Sequence, residues 1–170
     1  IFNRERKWEF TVGSHNVQIS PDAENNTYAD IAKEYDLKNK LAKGEIIYGE
    51  IYGPNIQKGY HYGLRDGQKK LVVFDIRKNG KYQDWETLLD FAIFKNVPIV
   101  PILFEGYFKD LKLQGKISGP SVFAPTQDII EGGVLRTAHE ERTAMLSANR
   151  KVLKCINPEY LIKGAKSEFH

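Results

Sequence analysis

Hydrophobic and polar residues alternate along several short segments of the chain, and this alternation predicts β-strands. The pattern is strongest over 45–52, "EIIYGEIY", and over 71–77, "LVVFDIR". Weaker signals predict two strands near the start of the chain and three later ones, the first of which is bounded by prolines: 7–14, 15–19, 97–103, 131–137 and 151–156. The pattern therefore predicts a protein dominated by strands.

Two segments instead have the three-to-four-residue period of an amphipathic helix. In the first, Thr27 is the predicted N-cap, with Asp30 three residues further on. Its apolar stripe comprises Tyr28, Ile31, Ala32 and Tyr35. The second begins after Asp84, a predicted cap, and its stripe comprises Trp85, Leu88, Leu89, Ala92 and Ile93. A final turn or short helix is predicted at 157–163.

Strands covered by two or three helices indicate an α+β fold with a largely antiparallel sheet. The length of 170 residues favours one domain, which would bury roughly 70% of its unfolded surface. A content of 41% hydrophobic and 28% charged residues is typical of a globular protein. The net charge of +3 permits a basic groove but is by itself a weak indication of nucleic-acid binding.

The chain has a single cysteine, Cys155, which excludes an internal disulfide and favours a reducing compartment such as the cytoplasm. No stretch approaches the ~20 apolar residues of a membrane span, and no secretory signal is visible. The sequence begins at Ile1 without a methionine, so we expect an N-terminal portion before it. A monomer is the default expectation.

Four strand-like segments each place a polar or aromatic side chain within an otherwise apolar stretch. These side chains are Glu50, Phe74, Glu131 and Lys154. In 45–52, the two-residue period places Glu50 on the face opposite Ile47 and Ile51. Two carboxylates and a lysine from three strands could line one cleft, where Mg²⁺ and a phosphate would meet. The alternatives are a solvent-facing Glu50, a core Phe74, a turn residue at Glu131 and an edge-strand Lys154.

Other common site patterns are not recognisable in the sequence. The four histidines have no metal-ligand spacing. "GLRDG" and "EGG" match neither type of glycine-rich phosphate loop, and no Ser-His-Asp arrangement is identifiable.

Taken in order, four segments resemble the motifs of covalent nucleotidyltransferases, the superfamily of ATP-dependent ligases and mRNA-capping enzymes. "YGEIYGPNIQKG" resembles the third motif in its RNA-ligase form, and "LVVFDI" resembles the motif that follows it. "EGGVLR" matches the fourth motif, and "VLKCINPEYL" resembles the fifth. Together they extend from Glu50 to Leu161 in the superfamily's order, and the "GPNIQKG" loop favours RNA ligases.

This resemblance implies an ATP-dependent RNA ligase whose adenylation domain has the largely antiparallel nucleotidyltransferase (ATP-grasp-like) fold and uses Mg²⁺ or Mn²⁺. It implies that Glu50 contacts the adenosine ribose and Phe74 stacks on the adenine. Glu131 would act near the metal, directly or through water, while Lys154 would reach the α-phosphate of ATP. Gln57, in the loop after Glu50, would be a helper. The implied substrate is RNA with 5′-phosphate and 3′-hydroxyl ends.

The chain departs from the family's pattern at three places. The nucleophilic lysine of the family lies in K-x-D-G or K-x-x-G before the third motif, but K-x-D-G is absent and K-x-x-G occurs only within 112–119. We therefore expect the nucleophile shortly before Ile1, with 1–170 as the rest of the adenylation domain. His15 replaces the arginine of S-R-N, where it would contact the nucleotide or an RNA phosphate. Ile156 replaces the second lysine of K-x-K, leaving Lys154 alone.

Two alternatives remain open. One is a non-catalytic nucleotide- or RNA-binding relic of the same fold that lacks the nucleophile. The other keeps the catalysis and changes the substrate, to nicked DNA or to capping of RNA 5′ ends with GTP. The preferred RNA, and whether nicks or single strands are joined, do not follow from the sequence.

Overall fold

The protein is described by a computed structural model that covers residues 9–14, 16–56, 60–124, 129–144 and 150–167. The strands are β1 (Val12–Gly13), β2 (Gln18–Ile19), β3 (Glu45–Tyr52), β4 (Lys70–Lys78), β5 (Lys81–Tyr82), β6 (Gly132–Arg136) and β7 (Val152–Ile156). The helices are α1 (Thr27–Glu34), α2 (Leu37–Lys40), α3 (Trp85–Lys95), α4 (Leu113–Lys116) and α5 (Pro158–Ser167), with a 3₁₀ helix at Phe108–Asp110.

The largest sheet within these ranges has the order β3-β4-β5, and both of its pairings are antiparallel. β3 has the bounds that the alternation predicts. Ile47 and Ile51 pack against the core with Val73 and Ile76 of β4, whereas Glu50 is exposed. The predicted division of β3 into an apolar face and a polar face is therefore confirmed.

β4 contains one residue more than its pairing with β3 requires, and this extra residue is Phe74. Gly49 pairs with Val73 and Tyr48 pairs with Asp75, so Phe74 has no partner on β3. Such a β-bulge changes the direction of side chains and is common near active sites. Because Val73 and Ile76 both belong to the core, Phe74 and Asp75 are left next to each other outside it.

The core lies between this sheet and the helices. It consists of Ile31, Ala32, Leu37, Leu71, Val73, Ile76, Leu88, Phe91 and Val97. Leu88 of α3 is fully buried, which contributes about 1.5–3 kcal/mol. The predicted inclusion of Ile93 in the α3 stripe is wrong, because Ile93 is 80% exposed and Phe91 is buried instead. At 3.6 residues per turn, Ile93 lies about 140° around the helix from Leu88.

The N-cap of the first helix differs from the predicted one, whereas the predicted N-cap position of the third helix, Asp84, is confirmed. Asn26, rather than Thr27, caps α1: its side-chain oxygen accepts from the backbone nitrogens of Tyr28 at 3.0 Å and Ala29 at 3.2 Å. Asp36 adopts the left-handed conformation, with φ of 52°, and separates α1 from α2. Asp84 precedes α3 as predicted, but its carboxylate makes no capping hydrogen bond to that helix.

The predicted strand at 97–103 is wrong, although its backbone does contact the sheet. Val73 donates to the carbonyl of Pro98 at 2.8 Å, and Val100 donates to the carbonyl of Val73 at 3.0 Å. The result is one parallel bridge, between Val73 and Ile99. Pro98 and Pro101 have no N–H to donate, so a longer ladder cannot form.

β6 and β7 form an antiparallel hairpin, and α5 follows it directly. Both strands and the final helix therefore occur where the sequence predicts them, within one residue at the strand ends. The mixed α+β class with antiparallel pairing is confirmed, but the strands of the described segments fall into three small sheets rather than one. No helix in the described part of the chain combines the length and the apolar character that crossing a bilayer requires.

Candidate active site

Glu131 and Lys154 form an ion pair at the β6–β7 hairpin. The Lys154 ammonium donates to a Glu131 carboxylate oxygen at 2.9 Å, and the two side chains are 62% and 41% exposed, respectively. The hydrogen bond from Lys154 to Glu131, supported by the negative charge of Glu131, raises the pKa of Lys154. Lys154 is thus a cation at neutral pH, held next to a carboxylate and accessible to a ligand.

Local structure on both sides fixes the position of Glu131. Gly132 has φ of +152°, and a Cβ there would lie 2.1 Å from the Cys155 carbonyl oxygen, so the residue after Glu131 must be glycine. Asn157, which is 1% exposed, donates its backbone N–H to the Glu131 carbonyl at 2.9 Å. Its side-chain amide donates to the Ile130 carbonyl at 3.0 Å.

Glu50 lies close enough to Glu131 and Lys154 to interact electrostatically with both charges. Burial is the largest cause of its raised pKa, and the negative charge of Glu131 adds to it while Lys154 opposes it. Although Glu50 is exposed to solvent, the surrounding protein atoms still desolvate part of its carboxylate. Gly49 allows β3 to approach β4 here, because a Cβ would lie 2.7 Å from the Val72 carbonyl oxygen. We call Glu50, Glu131 and Lys154 the acid–lysine cluster.

The acid–lysine cluster has an excess of negative charge that a cation could neutralise. Within the described ranges no group of three or more histidine, cysteine or acidic side chains is arranged to hold a metal ion. Mg²⁺, however, usually takes only one or two protein carboxylates and completes its shell with water and substrate phosphates. The carboxylates of Glu131 and Glu50 fit that donor set.

Phe74 lies at the bulge of β4, and 42% of its surface is exposed. Its carbonyl accepts a hydrogen bond from Arg136 of β6 at 3.4 Å, which links the bulge to the hairpin that carries Glu131 and Lys154. Phenylalanines that belong to a core are usually buried. Because Phe74 is exposed although it lies on the central strand, the alternative interpretation of Phe74 as a core residue is wrong. His15 and Gln57 lie outside the described residues.

A second group of charged residues joins the hairpin to the central sheet, and the motif search did not single it out. Arg150 donates a hydrogen bond to Asp75 at 2.7 Å and donates to both carboxylate oxygens of Glu140, at 2.6 and 2.7 Å. Arg136 donates to the other Asp75 oxygen at 3.4 Å and to the carbonyl of Gln83 at 3.2 Å. We call Asp75, Arg136, Glu140 and Arg150 the arginine network.

Asp75 of the arginine network is buried and its other three members are partly buried, and the charges are balanced, two arginines against two acids. Its four side chains are only 8–13% exposed. The hydrogen bond from Arg150 holds the pKa of Glu140 below its usual value, and Arg150 itself has a raised pKa because of Glu140 and Asp75. The guanidinium groups also cover aromatic rings, Arg150 over Tyr82 at 3.6 Å and Arg136 over Trp85 at 5.4 Å.

Further contacts fix the segment between β6 and Arg150. The Asp84 carboxylate accepts from the Glu140 backbone at 2.6 Å and lies 3.2 Å from His139 Nδ1, and these two contacts lower the pKa of Asp84. The backbone of Trp85 also donates to the Ala138 carbonyl at 2.8 Å. The start of α3 is thereby bound to the hairpin.

The fold and the site together define a mixed α+β protein with two acids and a lysine gathered around one hairpin. Comparison with protein-family models matches residues 1–156 to the family described as RNA ligase. The chain therefore belongs to the RNA ligase family, whose members are generally ATP-dependent ligases of RNA. No curated protein matches the chain.

Proposed function

We propose that the chain is the nucleotide-binding part of an ATP-dependent RNA ligase that joins RNA 5′-phosphate and 3′-hydroxyl ends. The observation that carries this proposal is the ion pair between Glu131, just before β6, and Lys154 of β7, with Glu50 of β3 near enough to interact with both charges, in a member of the RNA ligase family. Residues 1–170 would then belong to one adenylation domain of the nucleotidyltransferase fold. We assign the nucleophile to a lysine upstream of Ile1, because K-x-D-G is absent and K-x-x-G follows Glu50.

In the first step, the lysine nitrogen forms a bond to the α-phosphorus of ATP, the bond to pyrophosphate breaks, and the nitrogen loses a proton. Lys154 exchanges Glu131 for the α-phosphate oxygens, where its charge offsets the negative charge that develops. Glu50 accepts hydrogen bonds from the ribose hydroxyls, and Phe74 stacks on the adenine. Glu131, with Glu50 near it, would hold the metal, which when bound neutralises phosphate charge and helps pyrophosphate to leave.

The two later steps transfer the adenylate and expel it. An oxygen of the RNA 5′-phosphate attacks the α-phosphorus and displaces the lysine, which takes up a proton, so that AMP is joined to the RNA through a phosphoanhydride. The 3′-hydroxyl then attacks the 5′-phosphate phosphorus, loses its proton, and releases AMP as the phosphodiester forms. In the proposed mechanism, Lys154 stabilises charge at the α-phosphate in each step.

The test is covalent labelling of a protein extended upstream to include the first motif. Incubation with ATP labelled at the α-phosphate should give a protein–AMP adduct, and Glu131→Gln should reduce its rate about 10²–10³-fold. Glu141→Gln is the matched control, because Glu141 forms an exposed pair with Lys151 outside the acid–lysine cluster. An extended protein that has an intact first motif and never forms the adduct would refute the proposal.

The alternative of a non-catalytic relic is favoured by one observation, the absence of K-x-D-G from the sequence. Such a protein would bind ATP and RNA but form no adduct, and its parent sequence would lack the first motif upstream. Competition between nicked RNA, nicked DNA and GTP separates the RNA ligase from DNA-ligase and capping activities, since only an RNA ligase is expected to prefer nicked RNA.

A further inference from the structure

Five aromatic rings form a continuous row next to the acid–lysine cluster. The ring centroids are 5.0 Å apart for Phe123 and Tyr52, 5.6 Å for Tyr52 and Tyr62, 5.9 Å for Tyr62 and Tyr60, and 6.0 Å for Tyr60 and Tyr160. These spacings are within the range of favourable aromatic pairs. We call Tyr52, Tyr60, Tyr62, Phe123 and Tyr160 the aromatic row.

The aromatic row runs along the same region as the charged site. Tyr52 lies two residues after Glu50 on the same face of β3. Tyr160 follows β7 in α5 and is close enough to Lys154 to raise its pKa further. Tyr62 lies between them: burial raises its pKa to about 12, and Tyr160, Glu131 and Glu50 contribute to the shift. Its phenol therefore stays neutral at any physiological pH.

The aromatic row is separate from the hydrophobic core. None of its five members belongs to the core cluster or to the partly buried residues that pack against that cluster. Phe123 is 37% exposed, and the four tyrosines are all partly exposed. Aromatic residues that meet outside the core and remain accessible to solvent are available to a ligand with flat apolar faces.

We propose that the aromatic row is a stacking surface for the bases of the RNA strand whose end enters the acid–lysine cluster. The inference rests on the proposed function, since it places the RNA beside the phosphates that Lys154 contacts. An RNA strand whose terminal phosphate lies near Lys154 must continue along a neighbouring surface of the protein. The aromatic row offers such a surface, because Tyr52 follows Glu50 on β3 and Tyr160 of α5 is near Lys154. Stacking on aromatic rings tolerates any base, which suits an enzyme that joins ends of varied sequence.

The first experiment measures binding of a short fluorescent, 5′-phosphorylated single-stranded RNA without ATP. Tyr60→Leu keeps an apolar side chain but removes the ring, and it should weaken binding about tenfold, the loss of roughly one stacked base. Tyr60→Phe keeps the ring and should bind within about threefold of the unsubstituted protein. Tyr107→Leu is the control, because Tyr107 is 77% exposed and outside the row. Equal affinities for all four proteins would overturn the inference.

A second arm separates stacking from a structural role of the tyrosine. An RNA of the same length with abasic residues in place of its bases has the same backbone charge but nothing to stack. Tyr60→Leu should leave the affinity for this abasic RNA unchanged. If Tyr60→Leu weakens binding of both RNAs equally, the aromatic row merely supports the local fold, and the inference is wrong.

Binding and adenylation fail independently. A protein that forms the AMP adduct but whose Leu variant binds RNA normally would leave the ligase assignment intact and refute the stacking surface. A protein that never forms the adduct but shows ring-dependent and base-dependent binding would refute the ligase assignment and support an RNA-binding relic.

Discussion

The acid–lysine cluster and the arginine network draw residues from the same parts of the molecule, yet they are built in opposite ways. Each has members on the central sheet and on or next to the β6–β7 hairpin, but the described side-chain hydrogen bonds between these two parts belong to the arginine network. The arginine network is largely shielded from solvent, and its charges are matched by direct contacts of 2.6–3.4 Å between arginines and carboxylates. The acid–lysine cluster is exposed and has more acid than base. The hydrogen bond from Lys154 to Glu131 is its one described side-chain contact.

The difference indicates which charges hold the fold and which are available for chemistry. A buried, paired charge is costly to disrupt and does not readily change partners. An exposed pair in water contributes little stability, so Lys154 loses little when it leaves Glu131 for a phosphate. Burial, together with the negative charge of Glu131, also raises the pKa of Glu50, and stability alone would not favour a carboxylate in such a position. Four predictions, from the largest effect on stability to the smallest, test this contrast.

Arg150→Met should lower the free energy of unfolding by about 3–5 kcal/mol, because it leaves Asp75 and Glu140 buried with one arginine between them. Chemical denaturation measures the change. Arg150→Lys keeps the charge but loses the two-pronged contact with Glu140, so its loss should be intermediate. A loss below about 1 kcal/mol for Arg150→Met would mean that the network is no more stabilising than a surface pair.

Acid should weaken the arginine network through Glu140. Its pKa is depressed in the folded protein, so its stabilising contribution is complete above the ordinary glutamate value and is lost as the pH falls below it. Between about pH 6 and pH 3.5 the unsubstituted protein should lose more stability than Glu140→Gln. Denaturation curves at several pH values test this, with Glu141→Gln as the exposed control. Parallel losses in Glu140→Gln and the unsubstituted protein would contradict it.

Lys154→Met should change the free energy of unfolding by less than about 1 kcal/mol, since the pair it removes is exposed. In the extended protein, the same change should slow adduct formation about 10²–10³-fold. Thermal or chemical unfolding and ATP labelling, performed on one preparation, give both values. A large loss of stability with little loss of labelling would contradict the prediction, because it would mean that Lys154 stabilises the fold rather than taking part in adduct formation.

Glu50→Gln should leave stability unchanged or slightly increased at neutral pH, within about 0.5 kcal/mol. The raised pKa of Glu50 means that its ionised form is disfavoured in the folded protein, so removing the charge relieves a cost that is present above that pKa. Any gain should disappear as the pH falls and Glu50 takes up a proton. Urea denaturation at neutral and acidic pH measures it, and a clear destabilisation at neutral pH would contradict it.

Local patterns were enough to predict most elements and the main members of the acid–lysine cluster. The alternation in β3 placed Glu50 correctly outside the core. A charged side chain in each of the strand-like segments "EGGVLR" and "VLKCI" indicated Glu131 and Lys154, which form an ion pair in the structure with Glu50 near enough to interact with both charges. Each of these inferences depends on neighbours in sequence or on a short motif, which is information that a single chain contains.

Contacts between distant segments could not be predicted in the same way. Asp75 and Arg150 are 75 residues apart, and neither has a local partner that would reveal the other. An aspartate within the apolar segment 71–77 was the available signal, but it did not identify its arginine. The aromatic row is similar, because its rings come from four separated segments and meet only after folding.

Phe74 occupies the extra position of β4, and this has a consequence for the register of the sheet. Removal of that single residue would leave Gly49 opposite Val73 and Tyr48 opposite Asp75 in a regular ladder. Since strand side chains alternate between faces, Val73 and Ile76 would still face the core and Asp75 would still lie outside it. The extra residue is therefore not needed for the register of the sheet, and what it adds to the strand is an exposed ring next to Asp75.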